Sequence, residues 1–124
     1  MINEKPDSLR QLSDRVDRFC RDRDWGKFHN TKDLAISLAL EAGEVLEITQ
    51  WKDAKELASG TESVRRRLEA ELSDVLYWLL LLSSHHGIDL ASAFDRKMSE
   101  NESKYPVELA RGSKAKYTEL SDRG

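Results

Sequence analysis

The sequence predicts an all-α protein of the four-helix-bundle type, and three observations carry this prediction. The chain of 124 residues contains only six glycines and two prolines, so breaks should be few and helices long. Apolar residues recur three and four positions apart through most of the chain. A polar residue able to cap a helix precedes each of these stretches. The length corresponds to one domain with a real core.

Four predicted helices follow one another along the chain, each with a recognisable start. Their candidate capping residues are, in chain order, Asp7 or Ser8, Asn30 or Thr31, Thr61 or Glu62, and Asp89. Their predicted ends lie near Arg23, Trp51, His86 and Lys104. Gly87 suits the position after a helix end, and Pro106 cannot continue a helix. The segment 52–62 reads as a polar connection, and the residues after 106 show no clear periodicity.

The second and third predicted helices carry paired acids inside apolar runs. Glu41 and Glu44 lie three residues apart on one, as do Glu71 and Asp74 on the other. A spacing of three puts both acids on one side of a helix, one turn apart. Both pairs have the same offsets from the apolar stripes of their helices. The stripes are Leu38, Val45 and Thr49, and Leu68, Leu72, Val75 and Leu79.

Antiparallel packing of these stripes would bring the four carboxylates together at one edge of the seam. Carboxylates are rarely buried unless they are paired or bind a metal, and four of them would repel each other. Mg²⁺ or Mn²⁺, which prefer oxygen ligands, fit such a site and suit phosphoryl chemistry. Glu47 extends the acid row by another three residues, either as a further ligand or as a solvated residue. Gly43, between the first two acids, could admit another helix or a ligand closely, or could be neutral.

The composition of the chain indicates which binding partners and which cellular compartment to expect. With 23 acidic and 20 basic residues the net charge is −3, so the composition does not indicate a positively charged surface for binding nucleic acid. The single Cys20 cannot form an internal disulfide, as expected in a reducing cytoplasm. No signal peptide opens the chain, and the longest apolar run, residues 75–82, is too short to span a bilayer. We therefore expect a cytoplasmic protein without nucleic-acid or membrane partners.

The run at residues 75–82 also predicts self-association. It is apolar nearly all round, so it needs cover on every side. Four helices in a chain of this length cannot supply that cover. We therefore expect a homo-oligomer with the third predicted helix at the interface.

Two further groups of residues have both a structural and a functional interpretation. Trp25, Phe28 and His29 lie in a loop that either covers the core with aromatic rings or forms a wall for a nucleobase. Lys97, Asn101 and Lys104 recur at helical spacing as either a solvated stripe or a contact for a triphosphate and sugar.

In combination these motifs resemble the MazG-like, all-α nucleoside triphosphate pyrophosphohydrolases, especially the short dCTP pyrophosphatase branch. The resemblance covers about residues 19–106. It rests on Arg23-Asp-Trp25, Phe28-His29, Glu41-x-x-Glu44, Gln50-Trp51-Lys52, Glu71-Leu-Ser-Asp74-Val-Leu, Lys97-Met98 and Asn101-x-x-Lys104-Tyr105-Pro106. It implies a MazG-like pyrophosphohydrolase domain at residues 1–106 and a polar C-terminal tail at 107–124.

The resemblance implies Mg²⁺-dependent hydrolysis of a (deoxy)nucleoside triphosphate to the monophosphate and pyrophosphate, with Mn²⁺ as a substitute. It also implies dimers, often paired into tetramers. The implied metal ligands and catalytic acids are Glu41, Glu44, Glu71 and Asp74. One of them, Glu41 by preference, would also orient or deprotonate the attacking water. By analogy with this branch the expected substrate is dCTP or a 5-modified form of it.

The resemblance also implies a set of substrate-binding residues. Lys97, Asn101, Lys104 and Tyr105 would hold phosphates or sugar, and Trp25, His29 and Trp51 would build the base pocket. Glu47 and Trp78 complete the set. Trp78 stands where the branch usually has Tyr against the deoxyribose, so the choice between deoxyribose and ribose stays open.

Three alternatives remain at this stage. The same reaction could act on another nucleoside triphosphate. The chain could be a non-catalytic helical interaction module whose acids are salt-bridged to Lys and Arg. The third alternative is a di-iron carboxylate bundle. It is disfavoured because such bundles normally need Glu-x-x-His repeats, and neither acid motif here ends in His.

Overall fold

The computed structural model describes residues 8–120, and all regular structure within that range is helical. The α-helices are α1 (Leu9–Asp22), α2 (Thr31–Thr49), α3 (Ala54–Ala58), α4 (Glu62–His85), α5 (Leu90–Lys104), α6 (Val107–Ala110) and α7 (Tyr117–Leu120). A single 3₁₀ turn, Gly26–Phe28, follows α1. The four long helices are the four that the sequence predicts, which confirms the all-α fold class. None of the described helices is both long and apolar enough to cross a membrane.

The starts of the long helices agree with the predicted caps because capping is a local interaction. The Ser8 hydroxyl accepts from the Gln11 N–H at 3.1 Å, and the Gln11 side chain accepts from the Ser8 N–H at 3.2 Å. This reciprocal capping box satisfies two N–H groups at the start of α1. The caps of α2, α4 and α5 are Asn30, Thr61 and Asp89, each accepting from the N–H three residues on.

The segment after α2 differs from the prediction. The helix ends at Thr49 rather than near Trp51. Trp51 adopts a φ of 65°, in the left-handed region, and a residue in that conformation cannot continue a helix. The connection then holds the short helix α3, which Asp53 caps by accepting from the Glu56 N–H at 2.8 Å. Five residues are too few to produce a periodic pattern, so the sequence did not predict α3.

The described residues up to Ile88 form one compact unit, in which both α1 and α2 pack against α4. Helix α2 packs most extensively against α4, and α1 packs against α4 as well. The core brings together Cys20 from α1, Leu34 from α2 and Leu81 from α4. Partly buried residues packed around these three are Val16, Tyr77, Trp78 and Leu82.

Two hydrogen bonds join the end of α4 to its neighbours. The Thr31 hydroxyl lies 2.8 Å from the His86 ring nitrogen, so α2 begins where α4 ends. The Ser84 hydroxyl donates to the Asp17 carboxylate at 2.7 Å, which joins α1 to the same region of α4. Helices α2 and α4 therefore run antiparallel, as the sequence argument requires for their acids to meet.

The described residues from Asp89 to Leu120 form a second compact unit. Within it, the Tyr117 ring of α7 meets the Tyr105 ring edge-on, with centroids 6.2 Å apart. The Lys104 ammonium lies 4.9 Å from the centroid of the Tyr117 ring. The region in which the sequence showed no periodicity thus contains α6 and α7, each four residues long. The division into residues 1–106 and 107–124 remains a prediction.

Candidate active site

Three acids from two helices meet at the seam between α2 and α4. Glu41, Glu44 and Glu71 each offer one carboxylate oxygen, and these oxygens all lie within 4.8 Å of one another. Glu41 and Glu71 are partly buried, whereas Glu44 is exposed. The convergence predicted from helical offsets is therefore present for three of the four acids.

Two oxygens of this cluster are buried without a partner. They are Oε2 of Glu41 and Oε2 of Glu71, neither of which accepts a hydrogen bond. Among the ion pairs between described residues, none involves these two acids or Glu44. Buried oxygens that lack a partner cost free energy, so a cation bound between them would stabilise this cluster. The salt-bridged arrangement expected of an interaction module is not found here.

The environment raises the pKa of two of the acids. Burial raises the pKa of Glu41 most, and a hydrogen bond and repulsion from Glu44 add to it. The Trp78 side chain opposes this rise through a hydrogen bond to Glu41. The pKa of Glu44 is raised chiefly by a hydrogen bond with Glu71 and also by the charge of that group. These two carboxyls therefore release their protons at a higher pH than isolated carboxyls do, as expected where like charges share a site.

The two remaining acids lie beside the cluster. Asp74 is exposed, and its negative charge contributes to the raised pKa of Glu41. Glu47 is also exposed, and its charge contributes to the raised pKa of Glu44. Neither belongs to the group of oxygens within 4.8 Å. Both are thus close enough to act on the cluster electrostatically without sharing its oxygen geometry.

A row of aromatic rings leads from the 24–30 loop to the acids. Trp25 meets Phe19 at 5.5 Å between centroids, Phe19 meets Tyr77 at 6.1 Å, and Tyr77 meets Trp78 at 5.0 Å. All three contacts are edge-to-face, a favourable arrangement for aromatic pairs. Because Trp78 also interacts with Glu41, the row reaches the cluster. The sequence analysis identified both ends of the row but not Phe19 or Tyr77, which lie on ordinary apolar helix faces.

The other two predicted base-pocket residues, His29 and Trp51, form none of the ring contacts found among the described residues. His29 lines a cavity of about 320 Å³ together with Asp17, Ser84 and His85. The lining does not include Glu41, Glu44, Glu71 or Asp74. Trp51 is 92% exposed. Within a single chain the described residues therefore do not enclose a base between Trp25, His29 and Trp51.

The predicted phosphate-binding residues share one region of α5, in the second unit. Asn101 and Lys104 are partly buried there, and Tyr105 follows as the residue that ends the helix. Glu100, which was not predicted from the sequence, lies beside two of them: its carboxylate is 3.0 Å from the Lys104 nitrogen and 3.6 Å from the Lys97 nitrogen. Its spacing of three and four residues from the lysines was the available signal.

The family follows from a direct comparison. The sequence profile of the MazG-like family matches residues 36–120, which include all four acids and α5. The chain belongs to the MazG-like family. The resemblance that the sequence motifs predicted is thereby confirmed.

Several characterised proteins are similar to this MazG-like chain. Bovine dCTP pyrophosphatase 1 is 42% identical over 104 residues, which cover 82% of this chain and 62% of the bovine protein. The human protein of the same name is 43% identical over 104 residues, or 82% of this chain and 61% of its own. The chain thus spans about three-fifths of the length of these relatives. A pyrophosphatase from Archaeoglobus fulgidus superposes with a TM-score of 0.74 at 36% identity, covering 86% of this chain and 99% of that one.

Proposed function

We propose that this MazG-like protein hydrolyses a (deoxy)nucleoside triphosphate to the monophosphate and pyrophosphate. The observation that carries the proposal is the three-acid cluster with its two buried, unpartnered carboxylate oxygens. The names of the bovine and human relatives and of the archaeal structure support the same reaction.

The donor set fits a divalent cation that prefers oxygen ligands. Every donor in the cluster is a carboxylate, and the orphaned oxygens of Glu41 and Glu71 lack only a positive partner. Mg²⁺ is the proposed ion, with Mn²⁺ as a substitute, because both favour oxygen ligands. Glu41, Glu44 and Glu71 would hold it, with Asp74 as the fourth acid of the set. A cation bound there supplies positive charge to the triphosphate oxygens, which carboxylates alone would repel.

Glu41 is also the proposed base for the attacking water. Its partly buried carboxylate keeps one oxygen that accepts no hydrogen bond, and such an oxygen can accept a proton from water. The Trp78 side chain interacts with the same carboxyl and so limits its orientations. Water attack followed by loss of pyrophosphate gives the monophosphate.

The proposed substrate is dCTP or a 5-modified form, and the proposed role is house-cleaning of the nucleotide pool. The printed names of the curated relatives support this choice of base. The proposed substrate contacts are Trp25, His29, Glu47, Trp51, Trp78, Lys97, Asn101, Lys104 and Tyr105. Trp51, being almost fully exposed, could contact a base only together with groups outside the described chain.

A homo-oligomer, either a dimer or a dimer of dimers, is part of the proposal. An apolar groove of about 420 Å³ lies on α1 and α4, lined by Val16, Phe19, Leu76 and Leu80 among others. Leu40 and Leu46 on α2 are also largely exposed. A second copy is the proposed cover for these surfaces, and a monodisperse monomer in solution scattering would refute it. The proposed compartment is the cytoplasm, where the lone Cys20 would stay reduced.

The test is a substrate panel with product identification. The purified protein is incubated with Mg²⁺ and each common dNTP and NTP, and the products are resolved by ion-exchange chromatography. Monophosphate and pyrophosphate from dCTP, with little from the others, is the expected result. Another preferred base would keep the reaction and overturn the substrate. No turnover in Mg²⁺ or Mn²⁺ would overturn the enzyme and leave the interaction module.

A further inference from the structure

Glu100 lies between the two lysines that are proposed to bind phosphate. Its carboxylate is 3.0 Å from the Lys104 nitrogen and 3.6 Å from the Lys97 nitrogen. The three side chains occupy successive turns of one face of α5, at spacings of three and four residues. One acid is therefore shared between two bases.

The sharing changes the charge that this face offers to an anion. The two lysines alone carry a charge of +2, and Glu100 reduces the trio to +1. The pKa of Glu100 is lowered, chiefly by its hydrogen bond to Lys104, so it is ionised at neutral pH. The pKa of Lys104 is raised by the same pair, so this ammonium keeps its proton. Both partners are thus fully charged where a polyphosphate would compete for the lysines.

Lys104 is the more constrained of the two lysines. Its side chain is 34% exposed, compared with 61% for Lys97. The Tyr117 ring lies on it at 4.9 Å, while Glu100 holds its ammonium at 3.0 Å. A phosphate that reaches Lys104 must therefore share or displace the Glu100 contact.

We infer that Glu100 weakens polyphosphate binding by competing for Lys97 and Lys104, and so sets the affinity for the triphosphate and for pyrophosphate. The inference rests on the proposed function, which makes these lysines phosphate ligands. Glu100 acts on phosphate binding through the two lysines. Its removal leaves both cations free for the phosphate oxygens.

The variant Glu100→Gln tests this inference, with Glu102→Gln as its matched control. Glu102 lies on the same helix and is exposed, and among the described residues it forms no ion pair. Both variants remove one negative charge from α5, so long-range electrostatics change equally. Because each exposed ion pair contributes little, we expect Glu100→Gln to tighten binding only about two- to fivefold.

The readouts are the KM for the triphosphate and the inhibition constant for inorganic pyrophosphate, both measured on the full chain with Mg²⁺. Both constants should fall together in Glu100→Gln and stay near wild type in Glu102→Gln. In a Lys104→Met background, which removes the main partner, the effect of Glu100→Gln should shrink. A purely structural role would change thermal stability but would not depend on Lys104 in this way.

Two results would overturn the inference while the proposed function stands. One is normal hydrolysis with equal constants in Glu100→Gln and Glu102→Gln. The other is weaker pyrophosphate binding in Glu100→Gln than in the control, which would mean that Glu100 orients the lysines for phosphate. If the wild-type protein hydrolyses no triphosphate in the substrate panel, the proposed function fails and the inference fails with it.

Discussion

Glu44 of α2 and Glu71 of α4 face each other across the helix seam, with carboxylate oxygens within 4.8 Å. Their hydrogen bond is the main cause of the raised pKa of Glu44. Two carboxyls at this distance can share a proton or a cation, but they repel each other when both are ionised and alone. The proton and the metal ion should therefore be alternative occupants of this seam.

This competition predicts a dependence of metal-free stability on pH. The pKa values of Glu41 and Glu44 are raised on folding above the usual 4.5. An acid whose pKa is raised on folding stabilises the folded state fully below about pH 4.5. This stabilisation is lost as the pH rises through the pKa of the folded state. Mg²⁺ should restore stability at neutral pH because it binds the ionised folded form.

The measurement is thermal unfolding in chelator or in Mg²⁺ across this pH range, with two glutamine variants. Glu44→Gln should raise the metal-free melting temperature at neutral pH and should lose most of the Mg²⁺ response. Glu69→Gln removes one charge from α4 outside the cluster and should keep that response. Equal Mg²⁺ responses in the two variants would contradict the assignment of Glu44.

The starts of the long helices and the direction of each acid from its own helix were predictable because both follow from short-range rules. A cap needs only a suitable side chain three residues before an N–H group, and Ser8 and Asn30 meet that condition. Helical spacing likewise fixes the direction of Glu41 and Glu44 from their own helix. The meeting of Glu41 and Glu44 with Glu71 also requires α2 and α4 to pack together, and the matching offsets of the acids from the two apolar stripes predicted that packing.

Features that depend on distant segments could not be predicted in this way. Trp51 is left-handed although it is neither Gly nor Asn, the residues that usually indicate this conformation. Helix α7 is too short to show a helical period. The contact between Cys20 and Tyr77 joins residues 57 positions apart. Trp78 was predicted as a sugar contact, whereas its packing against the core became visible only in the folded chain.

The Cys20–Tyr77 contact predicts a measurable stability effect. The thiol of Cys20 and the hydroxyl of Tyr77 lie 3.2 Å apart, and burial together with this bond raises the pKa of Tyr77. Tyr77→Phe should lower the free energy of unfolding by about 0.5–1.5 kcal/mol, because Cys20 loses its partner. Denaturant unfolding measures the change.

A double mutant provides the control for this pair. Cys20→Ala with Tyr77→Phe should cost less than the sum of the two single changes, because the double mutant leaves neither group unpaired. Strict additivity would mean that the 3.2 Å contact contributes nothing beyond packing.

Gly43 predicts a stabilising substitution. It lies inside α2 between two of the acids, and a Cβ added there would meet nothing within 4 Å. The close approach of another helix considered from the sequence is therefore not found within the described chain. Gly43→Ala should raise the free energy of unfolding by about 0.5–1 kcal/mol, because Gly is the poorer helix former.

Gly87 is the control for Gly43, because the same substitution there should have the opposite effect on thermal stability. Its φ of 63° lies in the left-handed region, so Gly87→Ala should lower stability rather than raise it.

Loss of stability in Gly43→Ala would contradict the prediction for Gly43 and would indicate that a second copy approaches α2 closely at that position.

The most direct test of the account compares dCTP hydrolysis by wild type, Glu71→Gln and Glu69→Gln at saturating Mg²⁺. Both variants remove one charge from α4, but Glu69 lies outside the acid cluster and pairs at the surface with Arg65 at 3.3 Å. Loss of a metal ligand worth several kcal/mol predicts a fall of at least about 100-fold in kcat/KM for Glu71→Gln. Glu69→Gln should stay within about twofold of wild type. Comparable activity in both folded variants would contradict the claim that the cluster is the catalytic metal site.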